Sequence, residues 1–403
     1  MKLNKLLLLG SLPFFLASCS EESIDDTKGS ELGDKVYIAL SKEQQAIKKK
    51  SIEFANQLMT LASKENENTF ISPLNLQVSL AALSNGASEQ TYNETVTALG
   101  LQEHSLETLN HYNKTIMNGI LLEEDPNVEH FAKNFMSMDQ RFQYNETFTE
   151  KILENYYLSF LCGSANLRYN SDQEKKYLDQ WADLETQGMI GNLQLPIDAS
   201  TKAFLFNACC FKGKWTSAFN VENTVEASFI AESGTTQMVP MMNGTLKNIS
   251  YTENDDYQFA SLDFGNGSFN MALVLPKEGK SVADIISMVN WDTSDANTYD
   301  VKLALPKFKL EKIVHLNEIL QRTGIKEMFK ENAFPGITNE YYLSHMQQNL
   351  FFEIDESGVN KTPSSSSTDS GDVTMNLNRP FLFAIRENST NTLMFMGKIA
   401  KIE

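Results

Sequence analysis

Apolar residues recur along this chain first at helical spacing, then as continuous and alternating runs. Ile47, Phe54, Leu58 and Leu61 keep roughly helical spacing, and Ser41 followed by Gln44 forms a capping-box start for that helix. Ser72-Pro73 marks a second start, with Ser72 expected to cap and Pro73 suited to the first helical position. The apolar run from Leu74 to Leu83 stops at Gly86, an expected C-terminal cap. Residues 203–211 (AFLFNACCF) are almost continuously apolar, as a strand buried on both faces would be. Residues 301–310 (VKLALPKFKL) alternate, with a break near Pro306. Residues 269–275, 381–385 and 393–399 complete a strand-rich second half. No repeat period and no clean linker divides residues 41–403, which predicts one large α+β unit. Residues 357–378 break the pattern: they are polar and small, with a serine run and no apolar period before Val373. Between strong strands, a loop that long is functional or disordered.

Composition narrows the function. The 403 residues carry 34 basic and 52 acidic side chains, a net charge of −18. That balance argues against nucleic acid and anionic lipid surfaces, which reward dense Lys and Arg. A hydrophobic share of 41% supports a large core, and no membrane-spanning apolar run follows the N-terminus. Four cysteines are too few for a disulfide-built scaffold. Cys209 and Cys210 are adjacent in the apolar strand, so they point to opposite sheet faces and read as small buried hydrophobes. Enzyme signatures are missing: there is no G-x-S-x-G elbow, Walker loop, H-E-x-x-H or paired C-x-x-C. The five histidines (His104, His111, His130, His315 and His345) lack metal-ligand spacing. The chain therefore reads as neither an enzyme nor a metal or cofactor protein.

The first residues carry an address. Lys2 and Lys5 precede a short, broken apolar stretch ending in Leu16-Ala17-Ser18-Cys19. This resembles the lipobox of bacterial lipoproteins, which implies a signal peptide at 1–18 and acylation of Cys19. Ser20-Glu21-Glu22 and Asp25-Asp26 resemble the surface-export signal of Bacteroidetes lipoproteins, and equally fit a solvated linker. Residues 19–40 read as a flexible acidic tether. The expected location is the outer membrane, held by lipid alone and exposed at the cell surface.

Several separate segments resemble one family, the serpins. Asn68-Thr69-Phe70-Ile71-Ser72-Pro73-Leu74 is similar to the lead into that family's second helix, with Asn85-Gly86-Ala87 following. Trp181 with Thr186, Gly188 and Ile190 resembles its W-x-x-x-x-T-x-G-x-I motif. Asn207-Ala208 with Phe211-Lys212-Gly213-Lys214-Trp215 resembles its N-A-x-x-F-K-G-x-W signature. Leu305-Pro306-Lys307-Phe308, Arg379-Pro380-Phe381-Leu382-Phe383 and Phe395-Met396-Gly397-Lys398-Ile399 fit its C-terminal third. The resemblance implies three β-sheets, eight or nine helices and an exposed reactive loop. It also implies a monomeric suicide-substrate inhibitor. A serine or cysteine protease cuts the loop and forms a covalent acyl-enzyme, and the loop then inserts as a central strand of the largest sheet.

Carried over residue by residue, Glu356 and Lys307 match an ion pair at the top of that sheet, with Trp215 as its aromatic neighbour. Ser72 and Asn207 match a polar cluster under the sheet's centre, and Gln348 stands where many members carry histidine. The hinge departs from the family. After Glu356-Ser357-Gly358 come Val359-Asn360-Lys361-Thr362-Pro363, where inhibitors carry Thr or Ser and then alanine-like residues. On insertion, strand alternation would turn Val359, Lys361 and Pro363 inward. A buried ammonium and a missing ladder donor would each cost on the order of 2–3 kcal/mol. This favours an alternative role as a non-inhibitory binding or shielding module. The scissile bond falls at Asp372-Val373 counted forward from Gly358, and at Asp369-Ser370 counted back from Arg379-Pro380-Phe381. Aspartate at either place would suit an acid-preferring protease, and loop aspartates serve solubility as readily.

Overall fold

The computed structural model describes residues 34–122, 125–165, 172–292, 296–338, 342–360 and 372–403. Eight α-helices lie among them: α1 (Lys42–Ala62), α2 (Pro73–Ser84), α3 (Glu89–Ala98), α4 (Leu106–Leu121), α5 (Glu146–Tyr156), α6 (Asp172–Glu185), α7 (Val282–Ile285) and α8 (Asn317–Thr323). The strands of the first half are β1 (Thr69–Ile71), β2 (Val128–Asp139), β3 (Phe160–Ala165) and β4 (Ala203–Gly213). Next come β5 (Trp215–Ser217), β6 (Val225–Ile230), β7 (Thr236–Glu253), β8 (Tyr257–Phe264), β9 (Phe269–Pro276) and β10 (Asn297–Pro306). The last are β11 (Phe308–His315), β12 (His345–Ile354), β13 (Gly358–Asn360), β14 (Val373–Asn376), β15 (Phe381–Glu387) and β16 (Thr392–Ile399). Leu32–Glu403 form one compact unit. Cys19 and most of the expected tether lie outside the described residues.

These strands make two hydrogen-bonded sheets, not three. One has five strands in the order β11-β12-β4-β2-β3, and the other has eleven. Two of the expected sheets are joined because β7 runs unbroken for 18 residues, pairing with β6 over 236–241, with β10 over 241–251 and with β8 over 250–253. The alternation over 301–310 is divided at Lys307 between β10 and β11, which belong to different sheets.

The continuous apolarity of β4 follows from its central position. Its odd row (Ala203, Leu205, Cys209 and Phe211) faces the main core. Its even row (Phe204, Phe206, Ala208 and Cys210) faces a second cluster with Leu178 and Ala182 of α6 and the following Ile190. Burial raises both the Cys209 and Cys210 thiols, so neither is a nucleophile at neutral pH. The motif around Trp181 holds α6 on this face. Trp181 packs on Phe135 and Phe206 at 5.0 and 5.4 Å, and the Thr186 hydroxyl accepts from the Ile190 N–H at 3.0 Å. Gly188 makes the turn between them at φ +84°.

Two capping expectations are corrected. Ser41 caps α1 with a complete capping box, but Ser72 makes no side-chain cap to α2. Its hydroxyl instead donates to the Met394 carbonyl at 2.7 Å, because a buried position offers it a carbonyl from β16. Helix α2 ends at Ser84 with Asn85 as its C-cap, and Gly86 does not take the left-handed conformation of a glycine cap. Glycine is needed there for space, since a Cβ would lie 2.3 Å from the Ile337 side chain.

Candidate functional site

The five-stranded sheet is closed at its centre. Strands β12 and β4 are parallel and directly hydrogen-bonded from His345↔Phe204 to Glu353↔Lys212. Parallel neighbours normally need a crossover and pair slightly less well per residue than antiparallel ones. A strand entering between them from the β12 end would run antiparallel to both.

Beneath this seam lies a polar cluster inside the core. Helix α2 is buried at every position, yet Ser72 before it and Asn75 and Ser79 within it recur at i, i+3 and i+7. That spacing places them on one face, turned toward β4 and β12. Gln348 of β12 accepts from the Ser72 N–H at 3.0 Å and donates to the Ser72 carbonyl at 2.8 Å and to Asn207 Oδ1 at 3.1 Å. Asn207 of β4 donates to Ser79 at 3.0 Å and to Asn134 of β2 at 2.7 Å. Asn75 donates to the Ser72 hydroxyl at 3.1 Å. Ser72, Asn207 and Gln348 are all fully buried, so each bond replaces water that cannot enter.

At the sheet's top, Lys307 donates to Glu356 Oε2 at 2.7 Å, and Thr224 donates to Oε1 at 2.7 Å. Burial alone would raise the Glu356 carboxyl. The hydrogen bonds from Lys307 and Thr224 outweigh it and hold the group below its ordinary value. Trp215 is buried, stacks on Phe264 at 4.4 Å and donates from Nε1 to the Asp355 carbonyl at 2.7 Å. These contacts redirect the chain after β12. Gly358 and Val359 enter β13, which pairs in parallel with β5 (Gly358↔Trp215), outside the five-stranded sheet. A side chain at Gly358 would meet the Ala218 backbone at 2.4 Å, so this crossing admits only glycine.

The chain matches the family model for serpins (serine protease inhibitors) over residues 49–402. It belongs to the serpin family. Antithrombin-III of Ovis aries is 27% identical over 414 residues, covering 96% of this chain and 88% of that protein. Serpin B10 of Sorex araneus is 32% identical over 256 residues, 58% of this chain and 64% of that protein's length. The thermophilic serpin tengpin, crystallised in the native state, superposes with a TM-score of 0.80 at 25% identity, covering 90% of this chain and 95% of tengpin.

The structure of this serpin thus brings Ser72, Asn207 and Gln348 together at one point, and Lys307, Glu356 and Trp215 at another. Asp372 and Val373 stand at the entry to β14, where Val373 pairs with Val301 of β10. Lys361, Pro363, Asp369 and Ser370 lie outside the described residues. Sequence reasoning missed Asn75, Ser79 and Asn134, and it placed Thr224 in the N-A-x-x-F-K-G-x-W resemblance without giving it a role at the site. The i, i+3, i+7 polar spacing of Ser72, Asn75 and Ser79 was a legible signal. Asn134 and Thr224 become partners only through strand register and loop path. Among the described residues no group of three or more His, Cys, Asp or Glu side chains could hold a metal. No described helix is long and apolar enough to cross a membrane.

Proposed function

We propose that this serpin inhibits a serine or cysteine endopeptidase as a suicide substrate, trapping it by loop cleavage and insertion between β4 and β12. The observation that carries this reading is the direct parallel pairing of β4 with β12 above the buried Gln348–Asn207–Ser72 cluster. Insertion would exchange one parallel ladder for two antiparallel ones and bury further side chains, which supplies the driving force. The ion pair Lys307–Glu356 and the Trp215 stack act as the latch at the point of entry, and the polar cluster acts as the place where the strands part. A protease cleft takes several extended residues on both sides of the cut. With Val373–Asn376 already paired in β14, the bond Asp369-Ser370 is the better substrate, and Asp372-Val373 the poorer. We also propose acylation of Cys19 and a surface-exposed lipid anchor, on the strength of Leu16-Ala17-Ser18-Cys19 and the acidic residues after it.

The test is a panel of serine and cysteine proteases incubated with the protein and run on denaturing gels. A band at the summed mass of serpin and protease is expected with at least one member. Clean loop cleavage by every member without such a band would replace inhibition by the binding-module reading that Lys361 and Pro363 favour.

A further inference from the structure

The eleven-stranded sheet has a gap in it. Strand β7 pairs with β8 only from Ser250↔Ser261 to Glu253↔Gln258, and β5 reaches β8 only at Trp215↔Phe264. Between those points Leu262 and Asp263 have no strand partner on that side. Strand β7 is drawn away to β10 there, with a register shift between Tyr299 and Val301 and with Asn248 at φ +55°. The gap opens into a cavity of about 480 Å³, within the range of about 300–1,000 Å³ common to small-molecule sites.

Hydroxyls and amides line this cavity without using up their bonds internally. Ser217, Asn248, Ser250 and Thr298 face it, and their side chains make no hydrogen bond to any described residue. Ser261 adds a directed donor, because its Oγ accepts from the buried Arg386 Nη2 at 2.9 Å. A guanidinium only donates, so the Ser261 proton needs an acceptor elsewhere, and among the described residues it has none. Asp263, two residues along the same face of β8, is an acceptor about 7 Å further on. Asn388 donates to its Oδ1 at 3.3 Å.

The formal charges around the cavity are already answered. Lys247 donates to Asp300 at 2.7 Å. Burial raises the Asp263 carboxyl, against the opposing pull of Lys35 and Arg386. An ion entering here would shed hydration without gaining an unpaired countercharge. A neutral molecule with many hydroxyls would exchange water hydrogen bonds for protein ones almost one for one. Leu246 and Ile249 would cover its C–H surface.

We propose that this gap is a binding site for a neutral, polyhydroxylated ligand of the saccharide class. The assignment is independent of both protease inhibition and the lipid anchor. The full-length protein is titrated with maltose, cellobiose and lactose, and separately with sodium sulfate. Binding is read by saturation-transfer NMR, which the general stabilisation of proteins by excluded sugars does not mimic. At least one disaccharide should saturate with a Kd below about 10 mM. Asn248→Gly combined with Thr298→Val should weaken it about tenfold, the loss expected for two neutral hydrogen bonds. Both residues are exposed, and glycine accepts the positive φ at 248, so the thermal midpoint should not move. If the double variant melts lower, the isosteric Thr298→Val alone takes its place, with a loss of about threefold. No saturable binding of any of the three sugars would overturn the proposal. So would sugar binding that the variants leave unchanged, since the ligand would then sit elsewhere. Sulfate that binds and is weakened by the same variants would overturn the neutral class.

Discussion

Gln348 accepts from the amide of Ser72 and donates to its carbonyl; truncating it strands the Ser72 N–H where water cannot follow, while the carbonyl keeps the Leu76 N–H at 3.2 Å. Gln348→Ala should cost about 2–4 kcal/mol in denaturant unfolding. Asn207→Ala should cost a similar amount, and the double variant less than the sum, since the two side chains share a bond. Strict additivity would mean the cluster is not one network. His130 provides a second residue-scale test. Its ring packs on Phe269 at 4.9 Å with Nδ1 buried and unbonded, and burial lowers its pKa from 6.5 to about 4. The unfolded chain therefore takes up a proton between these values that the folded protein resists. Its contribution is fully present above pH 6.5 and is lost as pH falls toward 4, to the extent of about 1–3 kcal/mol. His130→Phe keeps the ring contact and should flatten the decline of thermal midpoint between pH 6.5 and 4. An unchanged slope would show that His130 does not resist protonation in the folded protein.

At the scale of elements, the proposed mechanism makes the hinge the control point of partitioning. Strand β13 leaves the five-stranded sheet by pairing with β5, and entry between β4 and β12 must undo that pairing along with the Lys307–Glu356 contact. If residues 359–363 entered as a strand, Lys361 and Pro363 would add the cost of an inward ammonium and an absent ladder donor. Replacing both with Ala should leave the rate of loop cutting almost unchanged, because they lie at least six residues before either candidate bond. It should raise the yield of covalent complex and lower the number of loops cut per protease trapped. The same stoichiometry in both proteins would mean that these residues do not face inward, or that a bulge accommodates them.

For the molecule as a whole, the prediction is a fold that gains stability when its loop is cut. Cleavage without release of the fragment should raise the thermal midpoint strongly if residues 359–370 enter the sheet, and the free cysteines make no covalent brace against such a change. An unchanged midpoint after a verified cut would favour the binding-module reading. The anchor is tested separately: Cys19→Ala should move the protein out of the membrane fraction, and unaltered detergent partitioning would count against acylation.

The α+β class, the strand at 203–211 and the capped helix from Ser41 were readable without a structure, because local periodicity reports which faces are buried. Ser72, Asn207, Gln348, Lys307, Glu356 and Trp215 were readable through resemblance, since their motifs survive in linear order. The partners that complete those sites were not. Asn134 meets Asn207 only because β2 pairs with β4 at that register, and Thr224 meets Glu356 only because the chain turns back over the sheet's top. Likewise, nothing in the linear pattern joins Asp372 to Asp300, which are brought together by a bulge and a parallel edge pairing across 72 residues. The fusion of two expected sheets through β7, and the replacement of a Ser72 cap by a bond to Met394, have the same origin. Sequence sets which positions must be buried or polar. The tertiary fold chooses their partners, because hydrogen bonds are satisfied by whatever group the packing places within reach.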